Sequence, residues 1–257
     1  MGRIKVELRF YGPLGDFLPA ELRGTSFIRS LPDTTTVKDA IESIGVPHPE
    51  VELLLVDGVS VRFDRQLREG ERIAAYPPFA RLEAERISLV RPPPLEEPRF
   101  IADVHLGKLA RLLRLLGFDA AYGRELKDAE IERRALAEER IVLTRDLGLL
   151  KRGSIRRGYW VRSQDPARQI REVVARFALR DRVRPYRFCL KCNGPISPAS
   201  PEEVAASLKR GTAGCYRELY RCIGCGQVYW RGAHFRGLER LIGEAMEAGS
   251  DGGAEGD

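Results

Sequence analysis

Residues 100–116 read FIADVHLGKLARLLRLL, and this stretch decides the fold of the central part of the chain. The apolar run at 100–104 is typical of a short buried strand, and Asp103 lies near its carboxyl end. Apolar residues then recur at helical spacing and predict a helix over 106–116. A buried strand followed directly by an amphipathic helix is the repeating unit of a parallel sheet covered by helices.

The same alternation continues to about residue 180. Further strands are predicted at 118–122, 141–144 and 159–161, and further helices at 129–139 and 167–177. The order β-α-β-α-β with an added strand and helix predicts an α/β domain with a parallel sheet.

Three aspartates fall where ligands of such a sheet bind. Asp103 closes the first strand, Asp146 follows the third, and Asp128 opens the second helix from the same side. Ligands bind beyond the carboxyl ends of parallel strands, so the three carboxylates are expected at one edge. Oxygen clusters of this kind suit Mg²⁺ or Mn²⁺, which can activate a water against a phosphodiester.

Each aspartate also has a structural interpretation. Asp128 is a natural N-cap for a helix beginning at Ala129, and Asp103 could cap the helix at Leu106 in the same way. Asp146 could simply end a strand. Taken singly, the structural interpretation is favoured, and only the shared placement of the three residues favours a site.

Three cations accompany Asp103. Lys108, Arg111 and Arg114 share one flank of the predicted helix, which suits contact with an RNA phosphate backbone. The alternative is an ordinary solvated charged face.

The N-terminal part predicts a small β-rich unit with one helix. Strands are expected at 4–10, 25–28, 51–56 and 59–63, the last two flanking the turn dipeptide Asp57-Gly58. Thr36 is the expected N-cap of the helix, which Gly45 and Pro47 end. This order resembles the ubiquitin-like β-grasp fold, especially the small sulfur carriers. Sulfur carriers end in Gly-Gly, whereas here Tyr76-Pro77-Pro78-Phe79 continues onward, which favours a docking module for a protein partner over a sulfur-transfer role.

Four cysteines form two knuckles in the C-terminal part. Cys189 pairs with Cys192, and Cys222 with Cys225, at the Cys-x-x-Cys spacing that presents four thiolates to one structural Zn²⁺. Disulfides and a redox pair are the weaker alternatives. Cys215 is left over.

Aromatic and basic residues interleave after the second knuckle. Trp230, Arg231 and His234 are candidate RNA contacts, since rings stack on bases and arginine binds phosphate. The alternative is that Tyr229 and Trp230 form the small core of the ribbon.

The composition is that of a soluble globular protein, and its excess of basic residues fits a polyanionic partner and generic solubility equally. The 257 residues carry a net charge of +6, with 43 Lys and Arg against 37 Asp and Glu. No run approaches the ~20 apolar residues of a membrane span, and the N-terminus lacks a signal-peptide pattern, so no membrane partner and a cytoplasmic location are expected.

Three segments together resemble one family. Residues 103–111, 113–119 and 143–146 look like the mutator-seven C-terminal RNase family, a PIN-like nuclease with a zinc ribbon that often follows a ubiquitin-like domain. The resemblance implies a Mg²⁺- or Mn²⁺-dependent endoribonuclease acting on RNA, for which tRNA and rRNA are candidate substrates. It carries metal-binding roles to Asp103, Asp128 and Asp146. PIN-like sites hold a further acid, for which Glu125 and Asp165 are candidates and Asp119 a weaker one.

The predicted organisation has five parts. These are a ubiquitin-like β-grasp domain (1–82), a linker (83–98), a PIN-like domain (99–182), a zinc ribbon with a C-terminal helix (183–246) and a disordered tail (247–257). The rival hypothesis is a non-catalytic adaptor that binds RNA or the ribosome and has a degenerate acidic site.

Overall fold

The computed structural model of the chain describes residues 2–78, 87–204, 218–230 and 243. The chain forms two compact units, and each is built from separate stretches of sequence. The first unit takes residues 1–96, 135–138 and 146–160, and the second takes 97–134, 139–145 and 161–257. Within the described ranges, no helix is long and apolar enough to cross a membrane. The predicted domain boundaries stay a prediction.

The strands in chain order are β1 (Arg3–Phe10), β2 (Ser26–Pro32), β3 (Leu53–Val56), β4 (Val59–Ser60), β5 (Arg72–Tyr76), β6 (Phe100–Ala102), β7 (Ala120–Tyr122), β8 (Ile141–Thr144), β9 (Gly158–Trp160), β10 (Ile196–Pro198), β11 (Leu219–Cys222) and β12 (Val228–Trp230). The helices are α1 (Val37–Ile44), α2 (Gly107–Leu115), α3 (Asp128–Ala137), α4 (Leu147–Leu150), α5 (Pro166–Arg176) and α6 (Pro201–Val204).

The first unit contains a five-stranded sheet in the order β2-β1-β5-β3-β4. Strand β1 pairs antiparallel with β2 and parallel with β5, and β5 pairs antiparallel with β3. Helix α1 begins with a capping box, because Thr36 Oγ1 accepts from the Asp39 amide at 3.2 Å and the Asp39 side chain accepts in return. The predicted cap and helix are confirmed. The core lies between this helix and the sheet, with Leu8, Ile41 and Leu54 fully buried.

Three strands of this sheet differ from the prediction by more than two residues. Strand β2 continues to Pro32, past the predicted end at residue 28. Strand β5 was not predicted, although it lies between β1 and β3; its five residues bury only Ile73 and Ala75, which is a weak alternating signal. Strand β4 stops at Ser60, short of the predicted residue 63. The chain turns away there because the Phe63 carbonyl accepts from the Lys38 amide at 3.1 Å, at the start of α1.

The second unit contains a parallel sheet in which β6 lies between β7 and β8. Phe100 is opposite Ala120 on one side and Ile141 on the other. All residues of β6 and β8 are buried, as expected for strands covered on both faces. The predicted mixed α/β architecture with a parallel sheet is therefore confirmed, while the PIN-like assignment stays a prediction.

The ribbon of the second unit is an antiparallel sheet in the order β10-β11-β12. Its small core consists of Val204, Leu219 and Val228, against which the half-buried Trp230 packs.

Candidate metal centre and acidic site

The four predicted zinc cysteines lie together. The Sγ atoms of Cys189, Cys192, Cys222 and Cys225 are all within 4.8 Å of one another. The Cys189–Cys225 and Cys192–Cys222 Sγ separations are 3.6 and 3.5 Å. These distances exceed the ~2.0 Å of a disulfide. They are near the ~3.8 Å edge of a tetrahedron with Zn–S bonds of ~2.3 Å, so the donor set fits zinc.

Tyr229 supports the buried Cys189. Its hydroxyl lies 3.1 Å from Cys189 Sγ and accepts a hydrogen bond from the Leu190 amide at 3.0 Å. Burial alone would raise the pKa of the Cys189 thiol, but hydrogen bonds from Tyr229 and from the Cys192 and Lys191 amides lower this pKa to about 6. In the same cluster, burial and the neighbouring thiols raise the pKa of Cys192 to about 12, so the thiolate form is favoured at Cys189 in particular.

Asn193 bonds the first knuckle to the parallel sheet. Its Oδ1 accepts from the Ala120 amide at 2.9 Å, and its Nδ2 donates to Asp119 Oδ1 at 2.6 Å. The two carboxylate oxygens of Asp119 also accept hydrogen bonds from Nη1 and Nη2 of Arg140, at 2.6 and 3.0 Å. Asp119, the weaker candidate for a further acid, is therefore part of a structural network.

Arg114 is buried, with only 5% of its surface exposed. Its Nε donates to the Ala120 carbonyl at 2.8 Å, and Nη1 donates to the Leu190 and Lys191 carbonyls at 3.2 and 3.3 Å. This position differs from the predicted solvent-facing flank, because the carbonyls of the first knuckle provide acceptors that helical spacing cannot reveal. Lys108 and Arg111 are exposed, as predicted.

Asp103 is a buried carboxylate at the carboxyl end of β6, with 7% of its surface exposed. Its Oδ2 accepts from the Thr144 hydroxyl at 2.8 Å, and its Oδ1 accepts from the Val104 amide at 2.5 Å. The Asp103 amide donates to the Leu143 carbonyl at 3.0 Å. Backbone and side chain are therefore both fixed, and Thr144 is a supporting residue that the sequence did not single out.

The other two aspartates occupy different positions. Asp128 is half-buried and is the first residue of α3, which therefore begins one residue before the predicted start at Ala129. Asp146 belongs to the first unit and caps α4, where its Oδ1 accepts from the Gly148 amide at 2.7 Å. Within the described part of the chain, the four cysteines form the one group of three or more His, Cys, Asp or Glu side chains that could hold a metal. Assembly of the three aspartates around a cation stays a prediction.

Comparison with known families decides the identity of the chain. The model described as Mut7-C RNAse domain matches residues 98–242. The chain belongs to the Mut7-C RNase family. A second model, Mut7-C ubiquitin, matches residues 3–83, in the predicted order. No curated protein matches the chain significantly.

The remaining predicted site residues of this Mut7-C family member lie at separate positions or outside the described residues. Glu125 is exposed in the turn before α3. Asp165 caps α5, with Oδ1 accepting from the Arg168 amide at 3.0 Å. Trp230 ends β12 and contacts the ribbon core. Arg231, His234, Cys215 and the predicted C-terminal helix and tail, apart from Gly243, lie outside the described residues.

Proposed function

We propose that the chain is a ribonuclease that hydrolyses RNA phosphodiesters with a divalent cation. The observation that supports this most is Asp103, a buried and doubly hydrogen-bonded carboxylate at the carboxyl end of a parallel strand. It lies within the region that matches the RNase family. Burying a carboxylate is costly, and a position at a strand's carboxyl end is where α/β sheets place functional groups.

The bonding of Asp103 fits a hard cation. Each carboxylate oxygen has two lone pairs, and the Thr144 hydroxyl and the Val104 amide use one on each oxygen. Among the described residues these two donors leave one lone pair on each oxygen for a metal, and they fix the orientation of the carboxylate.

In the proposed site, Asp103, Asp128 and Asp146 hold Mg²⁺ or Mn²⁺, with Glu125 or Asp165 as the further acid. When bound, the cation lowers the pKa of a water for attack on phosphorus and stabilises charge on the departing oxygen. Lys108 and Arg111, both exposed on α2, contact the RNA phosphates. Arg114 has no part in this contact because its guanidinium bonds three backbone carbonyls.

We also propose that the four cysteines hold one structural Zn²⁺. Four protein thiolates leave no position for a water or a substrate, so the zinc stabilises the ribbon and does no chemistry. Trp230, Arg231 and His234 are proposed to add RNA contacts, with tRNA and rRNA as candidate substrates.

The test is RNA cleavage by the zinc-loaded full chain. Wild type, Asp103→Asn and Asp64→Asn are incubated with labelled structured and single-stranded RNAs, with and without Mn²⁺. Asp64 is an exposed aspartate of the first unit and serves as the matched control. We expect metal-dependent cleavage that Asp64→Asn retains and that Asp103→Asn loses by at least the ~10–100-fold typical of changes around a metal ligand.

Two further results decide the alternatives. Equal cleavage by Asp103→Asn, in protein with unchanged zinc content, would contradict the acidic site. RNA that binds the wild type and is never cut would support the rival adaptor function.

A further inference from the structure

The first compact unit contains a segment of the RNase region. Residues 146–160 fall inside the match to the Mut7-C RNase model, yet they belong to the same compact unit as the N-terminal sheet. The segment begins with Asp146, a proposed metal ligand, and continues through α4 to β9. Its contacts within the first unit show what holds it.

His48 is the first of these contacts. It lies in a short 3₁₀ turn, His48–Glu50, and only 6% of its surface is exposed. Its Nε2 lies 2.8 Å from the Ile155 carbonyl, and its Nδ1 lies 2.6 Å from Glu42 Oε1. A carbonyl only accepts, so Nε2 carries a proton and donates to the segment.

Glu50 makes the second contact, at the other end of the same turn. Its side chain is 3% exposed, and its Oε1 accepts from the Trp160 amide at 2.5 Å. The Trp160 ring also lies against Phe17, with centroids 5.1 Å apart. A third bond comes from the segment itself, where Lys151 Nζ donates to the Glu42 carbonyl at 2.9 Å.

These are costly groups to bury. A carboxylate and an imidazole on one three-residue turn lose their hydration, and the loss is offset only where fixed partners replace water. The partners here lie more than 100 residues away in sequence, at Ile155 and Trp160. The turn therefore bonds this segment at two residues, Ile155 and Trp160.

We propose that the N-terminal β-grasp unit acts as an internal positioning element for Asp146. His48 and Glu50 are positioning residues, because they bond residues 155 and 160. Lys151 bonds the end of α4 to the Glu42 carbonyl, and Asp146 caps the beginning of that helix. The role rests on the proposed metal-dependent cleavage, to which it adds a requirement for the N-terminal unit. On this basis the 48–50 turn binds a segment of the same chain.

The test compares full-length Glu50→Ala, Glu50→Gln, Lys151→Met and Glu21→Ala. Glutamine retains an acceptor for the Trp160 amide, whereas alanine does not. Glu21 is an exposed glutamate of the same unit and is the matched control. Hydrogen exchange of the backbone amides is measured together with RNA cleavage as a function of Mn²⁺ concentration and with RNA affinity.

We expect Glu50→Ala and Lys151→Met to raise exchange within 146–160 while β1 and β5 stay protected. We expect the Mn²⁺ concentration for half-maximal cleavage to rise by about tenfold, as for other groups that orient a metal ligand, with unchanged RNA affinity. Glu50→Gln should restore most of the wild-type Mn²⁺ dependence, and Glu21→Ala should match wild type throughout.

Three outcomes would overturn the inference. If wild type cleaves RNA and Glu50→Ala has the same Mn²⁺ dependence, the positioning role is wrong and the proposed function stands. If exchange rises across the whole N-terminal sheet, Glu50 has only a structural role. If wild type never cleaves RNA, the proposed function is wrong, and the positioning role falls with it.

Discussion

Gly117, just after α2, has a backbone φ of +90° and also lies very close to the backbone of Arg184. A Cβ placed there would lie 1.7 Å from the Arg184 carbonyl oxygen, and backbone cannot move aside as a flexible side chain can. The adjacent Leu116 carbonyl accepts from the Arg184 amide at 3.0 Å, which fixes the close approach. Glycine is required at this position for both its conformation and its missing side chain.

We expect Gly117→Ala to destabilise the second unit by more than about 3 kcal/mol, since strain and a backbone clash add. Gly226→Ala is the control in the same unit. It also has a positive φ, +72°, but its nearest neighbour is the Arg221 side chain at 3.6 Å. It should cost only the ~1–2 kcal/mol of a left-handed residue. The free energy of unfolding of both variants is measured in urea, with hydrogen exchange as the probe. Equal losses of stability would contradict the close approach at Gly117.

The Arg65–Glu71 pair predicts a pH dependence. A hydrogen bond from the Arg65 guanidinium lowers the pKa of Glu71, and the Arg68 amide adds to this effect. A carboxyl with a lowered folded-state pKa stabilises the fold above its ordinary pKa, and this stabilisation is lost as pH falls through the lowered value. We expect Glu71→Gln to cost about 1 kcal/mol at pH 7 and less at pH 3, measured by urea unfolding. A loss independent of pH would show that the ionised pair contributes nothing.

At the scale of elements, local patterns predicted well and long-range pairings did not. Helix α1 was predictable because the Thr36 cap, the Asp39 side chain and the apolar face lie within one short segment. The turn at Asp57-Gly58 was predictable for the same reason, and its φ values are +49° and +82°. Strand β5 was missed because its place in the sheet depends on pairing with β1 and β3, not on its own five residues.

The first cysteine knuckle, Cys189 to Cys192, also has a part that the sequence predicts and a part that it does not. Its cysteines follow from spacing alone, whereas its attachment to β7 depends on Asn193 reaching Ala120 and Asp119, more than 70 residues earlier. Asparagine after the second cysteine was the available signal, because its φ of +66° is one that asparagine tolerates.

We expect Asn193→Gly to lower zinc affinity by about tenfold, since glycine keeps the backbone conformation and removes both side-chain bonds. Asn193→Asp should be worse, because a carboxylate would replace the amide that lies 2.6 Å from Asp119 Oδ1. Transfer of zinc to a chelating dye measures the affinity. Unchanged affinity in both variants would mean that the knuckle folds independently of the sheet.

At the scale of the whole molecule, the first cysteine knuckle is hydrogen-bonded to the rest of the second unit. Arg114 and Asn193 together join residues 190–193 to α2 and β7. We expect zinc chelation to raise amide exchange at β7 and α2 while α1, β1 and β5 in the first unit stay protected. Loosening confined to the ribbon, or spread over both units, would contradict this coupling.

The discontinuous make-up of the units was beyond the reach of sequence patterns. Composition and the proline-rich stretch 91–94 predict a boundary near residue 98, and that boundary stays a prediction. Nothing local indicates that residues 146–160 join the first unit, since the contacts that recruit them are single side-chain bonds from His48, Glu50 and Lys151. The proposed acidic site has the same difficulty, because its members are separated in sequence and no local pattern shows whether they meet.

The interleaved order of the two units has a consequence for synthesis on the ribosome. The N-terminal sheet is translated by residue 96, but the first unit is complete only when residue 160 has been added. At typical rates of about 5–20 residues per second, about 3 to 13 s pass before Ile155 and Trp160, which bond His48 and Glu50, have been translated. During that interval the 48–50 turn has been made without the segment that it binds. A chaperone acting then would meet an incomplete first unit, and a premature stop codon between residues 97 and 160 would leave that unit incomplete.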